Sequence, residues 1–385
     1  MGSLCNKEAQ KPLLSESDIN YNFSNSKISE KDFTPIKLIG KGSYGNVFLV
    51  RFQKNNQVYA MKVLSKSLLR EQSQEINTKT ERNLMVQMHS PFIVNIKFAF
   101  QNDSKLFLVE EFLQGGDLFF HLHTNPKFSN EKAKFYIVEL VLAIEFLHKN
   151  NMLYRDLKPE NILIGVDGHI KITDFGLSKI LPKTDKTYTI CGTVRYLAPE
   201  ILSGEGYNNA VHWWSLGCIM YEMLVGKIPF KSKNDNLNIN IYKKPVRYPQ
   251  YIDEKAKDLL TKLLEIDPDK RLGNGENGWE DVKSHPYFSD VNWDDAYNKK
   301  LKPPFLPKIE NETDLKYFEN TFTDEPIYND KGEALYNEDD DIYEENYKGF
   351  TYVTGSCNEL KNVINQEKNY NDYDIDNDND NNNED

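Results

Sequence analysis

The chain has 385 residues, 39% of them hydrophobic and 12% aromatic, which suits a folded soluble protein with ample material for a buried core. Its net charge of -12 belongs to a tail: residues 311–385 hold 22 acidic and 5 basic residues, while residues 1–310 hold 42 basic and 37 acidic ones, so the charge says little about what the folded body binds. Four cysteines without C-x-x-C spacing argue against a zinc site or a disulfide framework, and no window approaches the roughly 18 uninterrupted apolar residues of a membrane span.

Residues 1–32 are polar and lack sustained periodicity, which reads as a flexible arm. From Phe33 the pattern changes. Apolar alternation through Ile36, Leu38, Val47, Leu49, Val58, Ala60, Met61 and Val63 predicts short antiparallel strands, joined by a glycine loop and by a turn at Asn55-Asn56. A helix follows around Glu75 to Met88, then a strand from Leu106 to Glu111 that ends at Gly115-Gly116, where small residues permit a hinge. Beyond it the helical period takes over. Phe135, Val138, Val141, Leu142, Phe146 and Leu147 fall on one face with Ser129 as cap, and Trp213 to Val225 is apolar nearly all round, as a buried central helix is. The fold class is therefore α+β, a small antiparallel-sheet lobe with one main helix followed by a larger helical lobe. Past Phe288 the chain is expected to be extended, with Pro303-Pro304-Phe305-Leu306-Pro307 unable to continue a helix, and its Asn/Asp-rich end is expected to be disordered.

Three strings in fixed order carry chemistry: Gly40-Lys41-Gly42-Ser43-Tyr44-Gly45-Asn46-Val47, Tyr154-Arg155-Asp156-Leu157-Lys158-Pro159-Glu160-Asn161 and Asp174-Phe175-Gly176. An isolated glycine string is more often an ordinary hairpin turn, but the three together read as a phosphate-covering loop, a catalytic loop and a magnesium-binding turn. Moving the γ-phosphoryl group of ATP to a hydroxyl demands positioning and charge neutralisation. Gly40, Gly42 and Gly45 let backbone N–H groups approach the phosphates, Val47 covers the adenine, and Lys62 on the third strand holds the α- and β-phosphates with Glu81 as its partner. Asp156 is placed to accept the substrate hydroxyl proton and Lys158 to neutralise the γ-phosphate, while Asn161 and Asp174 offer the oxygen donors that Mg²⁺ needs.

With these motifs the chain resembles the eukaryotic protein kinases, and specifically the AGC group that includes protein kinase B (Akt) and the cAMP-dependent kinase, over about Phe33 to Tyr352. The resemblance implies a bilobal kinase fold divided into a kinase domain at 33–288, an AGC-type tail at 289–353 and an acidic disordered tail at 354–385. It adds Ile39, Lys41, Ser43 and Tyr44 to the nucleotide loop and implies adenine contacts at Ala60, Glu111, Leu113, Leu163 and Thr173. Asp156-Leu157-Lys158 and Thr193 match the serine/threonine-directed pattern. By similarity, Asp117, Glu160 and Glu222 receive arginines upstream of the target hydroxyl, and Glu200 pairs with Arg271. Thr189 aligns with the threonine phosphorylated by an upstream kinase, with Arg155 and Lys179 as receivers of the phosphate; the usual cationic residue of the preceding helix is replaced by Asn77. Tyr347-Lys348-Gly349-Phe350-Thr351-Tyr352 resembles the hydrophobic motif of the AGC tail, with Thr351 as phosphoacceptor and Phe350 anchored in a small-lobe groove, and acidic residues near Glu338 to Asp341 stand where a turn phosphate is usual.

Two departures bear on activity. His212 stands where these kinases carry an aspartate that accepts hydrogen bonds from the catalytic-loop backbone, and Glu110 falls at the gatekeeper position, where it competes with Glu81 for Lys62 or takes a raised pKa. They motivate a rival reading, a pseudokinase scaffold that binds nucleotide without efficient catalysis; restoring aspartate at 212 is expected to raise kcat. The N-terminus Met1-Gly2-Ser3-Leu4-Cys5 approximates an acylation signal, although Asn6 stands where Ser or Thr is preferred. The reading is of a cytoplasmic protein whose membrane association depends on acylation of Gly2 and Cys5, with no sign of nucleic-acid binding.

Overall fold

A computed structural model describes residues 28–42, 45–71, 75–87, 89–182, 185–230, 242, 244–329, 332, 334–337, 347 and 349–354. The calls on Gly2, Cys5, Ser43, Tyr44, Glu338 to Asp341 and the acidic end beyond residue 354 lie outside these residues, as does the side chain of Asn77.

The alternating segments form strands β1 (Phe33–Gly42), β2 (Gly45–Phe52), β3 (Val58–Ser65), β4 (Ile96–Gln101) and β5 (Lys105–Glu111) of one antiparallel sheet, in the order β1-β2-β3-β5-β4. Strand β4 was not anticipated. A sixth strand closes the far edge: β10 (Tyr352–Val353) pairs antiparallel with β4, Tyr352 opposite Ala99 and Val353 opposite Phe98. One face of the sheet buries Phe33, Phe52, Phe98, Phe100 and Phe107, with ring centroids 4.7–5.7 Å apart, and Tyr336 of the tail seals it through edge contacts with Phe48 and Phe107 and a hydroxyl bond to the Phe33 carbonyl (3.0 Å). The other face packs Leu64, Leu106 and Leu108 with Leu84 and Met85 of the helix Glu75–Gln87.

In the large lobe, helix Asn130–Lys149 starts where the Ser129 hydroxyl accepts from Lys132 N (3.2 Å), and it packs on helix Val211–Val225, of which every residue but Glu222 and Val225 is buried. Two short pairs, β6 (Met152–Leu153) with β9 (Lys179–Ile180) and β7 (Ile162–Ile164) with β8 (Ile170–Ile172), carry the catalytic loop and the Asp174 turn between them.

Gly115 and Gly116 allow close approach: a Cβ on Gly115 would lie 2.5 Å from the Ile164 carbonyl, and one on Gly116, which has φ +72°, 2.1 Å from the Tyr317 carbonyl. One expectation is corrected. Past Phe288 the chain is not uniformly extended. A helix forms at Trp293–Tyr297 because the Asn292 side chain caps Asp294 N and Asp295 N (both 3.1 Å), and another at Asn320–Thr323, while the proline run stays non-helical. Between them the tail crosses the junction of the lobes, with Phe318 on Phe112 (5.5 Å) and Tyr317 on His121 (5.5 Å). Among the described residues, no helix is long and apolar enough to cross a membrane.

Candidate active site

Pairing in the sheet sets the nucleotide side. Val47 lies opposite Gly40 and Lys62, Leu49 opposite Ala60, and Ala60 opposite Glu110, so the loop, the lysine and the gatekeeper share one strip. Gly45 is demanded by the sheet itself, because a Cβ there would sit 1.8 Å from the Val63 carbonyl; at Gly40 and Gly42 a Cβ would meet protein atoms only at 3.6 Å or more. A Cβ at those two glycines would make only ordinary van der Waals contact, so the sheet does not demand them, which fits glycines that serve a ligand approaching the backbone. Leu163 sits on β7, bridged to Asp117, and Leu113 is buried.

Lys62 Nζ bonds Glu81 Oε1 (2.8 Å) and Asp174 Oδ1 (2.9 Å), tying β3, helix Glu75–Gln87 and the metal turn together. Burial works against its ammonium, but Asp174 and then Glu81 outweigh it and raise the pKa, while the same Lys62 charge holds Asp174 below its usual range. Among the described residues, Lys62 bonds Glu81 and Asp174 and not Glu110, whose carboxylate feels the lysine charge only at longer range. The Glu110 Oε2 accepts from Thr173 Oγ1 (3.1 Å), and burial pushes its pKa up to about 7, so the second of the two expected outcomes is the one realised. The Glu111 carboxylate is engaged outside the cleft by Asn95 N (2.7 Å) and Lys171 Nζ (2.6 Å), partners that its sequence neighbourhood gave no reason to expect.

On the facing loop, Asp156 is the hub. Its Oδ1 accepts from Thr193 N (3.1 Å) and Oγ1 (2.8 Å), and its Oδ2 lies 2.8 Å from Lys158 Nζ and 3.1 Å from Asn161 Nδ2. Lys158 Nζ also reaches Thr193 Oγ1 (3.1 Å). Asn161 spends its Nδ2 on Asp156, so among the described residues its Oδ1 remains for a cation, as does Oδ2 of Asp174. That donor set, a neutral carbonyl and a carboxylate, fits Mg²⁺. Arg155 and Asp174 hold φ of +71° and +61°, conformations that cost non-glycine residues about 1–3 kcal/mol and persist where surrounding structure enforces them.

His212 is 1% exposed, and its Nε2 accepts from Tyr154 N (2.9 Å) in place of a carboxylate. Its other nitrogen meets His148 Nε2 (2.9 Å), a partner 64 residues away that sequence reading missed. Tyr196 donates to Glu222 Oε2 (2.7 Å), and Glu160 Oε2 is buried without a hydrogen-bond partner among the described residues. Asp117 caps helix Leu118–Thr124 through Phe120 N (2.7 Å), and burial raises its pKa to about 6. Glu200 and Arg271 form a buried bidentate pair (2.6 and 2.9 Å).

Thr189 is exposed, its carbonyl held by the Tyr207 hydroxyl (2.6 Å); Arg155 donates through Nε to the Leu177 carbonyl, and Lys179 is exposed on β9. At the far side of the small lobe Tyr347 and Phe350 are buried, and Arg82, another residue the sequence reading missed, donates to the carbonyls of Phe350 (3.0 Å) and Thr351 (2.9 Å). Arg82 follows Glu81 directly, so one helix turn touches both the active lysine and the tail.

A cleft with a lysine–carboxylate pair on one wall and an aspartate–lysine–asparagine loop on the other defines a phosphotransferase, and the chain belongs to the protein kinase family, whose domain matches residues 33–288. The relatives it matches within that family are serine/threonine-protein kinases and a cAMP-dependent protein kinase catalytic subunit. It is 47% identical over 295 residues to the serine/threonine-protein kinase gad8 of Schizosaccharomyces pombe (76% of this chain, 52% of that protein). To the RAC family serine/threonine-protein kinase homolog of Dictyostelium discoideum it is 41% identical over 334 residues (86% and 74%), and to the cAMP-dependent protein kinase catalytic subunit of the same organism 46% over 293 residues (75% and 44%). The chain thus spans about half the length of the first and third of these relatives.

Proposed function

We propose that this chain transfers the γ-phosphoryl group of ATP to serine and threonine hydroxyls of proteins that carry arginine before the acceptor. The observation that carries this is the Asp156 hub: one carboxylate bonded to Thr193, Lys158 and Asn161 across from the Lys62–Glu81–Asp174 chain. Lys62 grips the α- and β-phosphates, and its raised pKa keeps it charged throughout the working range. Asn161 and Asp174 hold Mg²⁺, which when bound supplies positive charge against the triphosphate. Asp156 orients the incoming hydroxyl and takes its proton as the oxygen attacks the γ-phosphorus and the bond to the β,γ-bridging oxygen breaks to release ADP, while Lys158 offsets charge on the transferred group. The completeness of this set supports catalysis over a nucleotide-binding scaffold.

Arginine preference rests on Glu160, Glu222 and Asp117. A buried carboxylate oxygen without a partner, Glu160 Oε2, is best satisfied by a guanidinium from a substrate. Phosphorylation of Thr189 by an upstream kinase orders the activation segment through Arg155 and Lys179, phosphorylation of Thr351 strengthens the tail clamp, and acylation of Gly2 and Cys5 attaches the chain to membranes. The test is a positional peptide-library assay on chain phosphorylated at Thr189. Transfer to arginine-containing serine peptides, lost in Asp156→Ala, is the expected result; turnover no higher than that of the variant would overturn the reading. Mass spectrometry of the native N-terminal peptide decides the acylation, and an unmodified Gly2 removes it.

A further inference from the structure

The Tyr154 backbone N–H can only donate, so His212 Nε2, 2.9 Å away, carries no proton. Burial pushes the His212 pKa down to about 3, leaving a neutral ring with a single N–H, which must therefore sit on Nδ1. That N–H faces His148 Nε2 at 2.9 Å, and His148 Nε2 must be the acceptor. The order of protons along Tyr154, His212 and His148 is thus determined by the one group in the line that cannot reverse.

Tyr154 is where this order matters. Its ring packs on Phe175 (5.0 Å), its hydroxyl donates to the Thr173 carbonyl, and the residues after it are Arg155, with its left-handed backbone, and Asp156. Fixing Tyr154 N to helix Val211–Val225 therefore anchors both the general base and the turn that carries Asp174. We propose that His148 is a positioning residue for phosphoryl transfer: as acceptor from His212 it stabilises the tautomer that Tyr154 selects, and so lets an imidazole do the work of an aspartate in holding the catalytic loop. This rests on the kinase reading above. An aspartate at 212 would accept from Tyr154 with either oxygen and need no such partner, whereas a histidine holding its proton on Nε2 would oppose one N–H with another and release the loop. The competing view is that His148 only fills space beside Trp213 (5.3 Å between centroids) and Trp279 (6.3 Å).

The experiment compares His148→Leu, which keeps bulk but loses the acceptor, with His148→Gln, whose side-chain carbonyl can accept. In the full chain phosphorylated at Thr189, His148→Leu is expected to lower kcat about tenfold at unchanged KM for ATP, with His148→Gln within about twofold of the parent. In a His212→Asp background the leucine substitution is expected to lower kcat by less than twofold, about. Equal losses in the leucine and glutamine variants, no loss in either, or the same loss in the aspartate background would each overturn the proposal. Nitrogen-15 NMR of the histidine-labelled parent chain reads the tautomer directly and needs no variant to fold: a proton on His212 Nδ1 is expected, and one on Nε2 would overturn it. A parent chain that transfers no phosphate while showing the Nδ1 proton sinks the proposed function and leaves the tautomer assignment standing.

Discussion

The two walls of the cleft are held in place by different means. On the large-lobe wall, Asp156, Asn161 and Lys158 are fixed by elements of that lobe, through Thr193, the buried His148–His212 pair and the Glu200–Arg271 pair beneath the activation segment. On the small-lobe wall, Glu81 rides on a helix whose next residue, Arg82, is held by carbonyls 268 and 269 positions away, and the sheet is completed by a strand from the same tail. The catalytic loop is thus held from within its own lobe, whereas the helix that carries Glu81 is also held by a distant segment of the chain.

The largest effect tests the hub: Asp156→Ala should lower kcat by about 10²–10⁴-fold with little change in thermal stability, and a loss under tenfold in steady-state turnover would remove Asp156 from its role. Next is the large-lobe wall. Arg271→Leu strands the Glu200 carboxylate in the core and should reduce unfolding free energy by about 3–5 kcal/mol in urea titration; a loss below about 1 kcal/mol would mean the lobe does not rely on that pair. The small-lobe wall should respond differently. Phe350→Ala should raise amide exchange in helix Glu75–Gln87 and lower kcat about tenfold while exchange in helix Val211–Val225 stays unchanged, and equal rises in both helices would end the distinction between the walls.

The smallest expected effect is a pH slope at Glu110. Its folded pKa of about 7 lies above the carboxylate's ordinary 4.5, so between those values the folded chain binds more protons than the unfolded one. Stability from this group is full below the lower value and is lost as pH rises through the higher. Relative to the parent, Glu110→Gln should therefore gain melting temperature steadily from about pH 5 to about pH 8, and parallel curves would show that Glu110 is not held protonated.

Much of the site was legible because phosphoryl transfer needs particular residue types at short, local spacings. Asp156, Lys158 and Asn161 lie within one loop and meet there, and Lys62 lies on a strand whose alternation is visible. Glu81 was expected as the partner of Lys62 from its place in the helix that follows the third strand, and the two meet at 2.8 Å. Less was legible in the tail: Phe350 was expected to anchor, but not Arg82 as its holder, Tyr336 as the cover of the outer sheet face or Tyr352–Val353 as a strand, since none of these contacts leaves a mark near its own position.

By itself the sequence determined the two-lobed division, most of the strand and helix periods and the candidate catalytic set, all of which arise from local propensity and from chemistry confined to short motifs. Tertiary structure alone decided how the two departures are accommodated. Whether a buried histidine or glutamate is tolerated depends on which donor or acceptor faces it, and those groups, His148 for His212 and Thr173 for Glu110, come from residues 64 and 63 positions away.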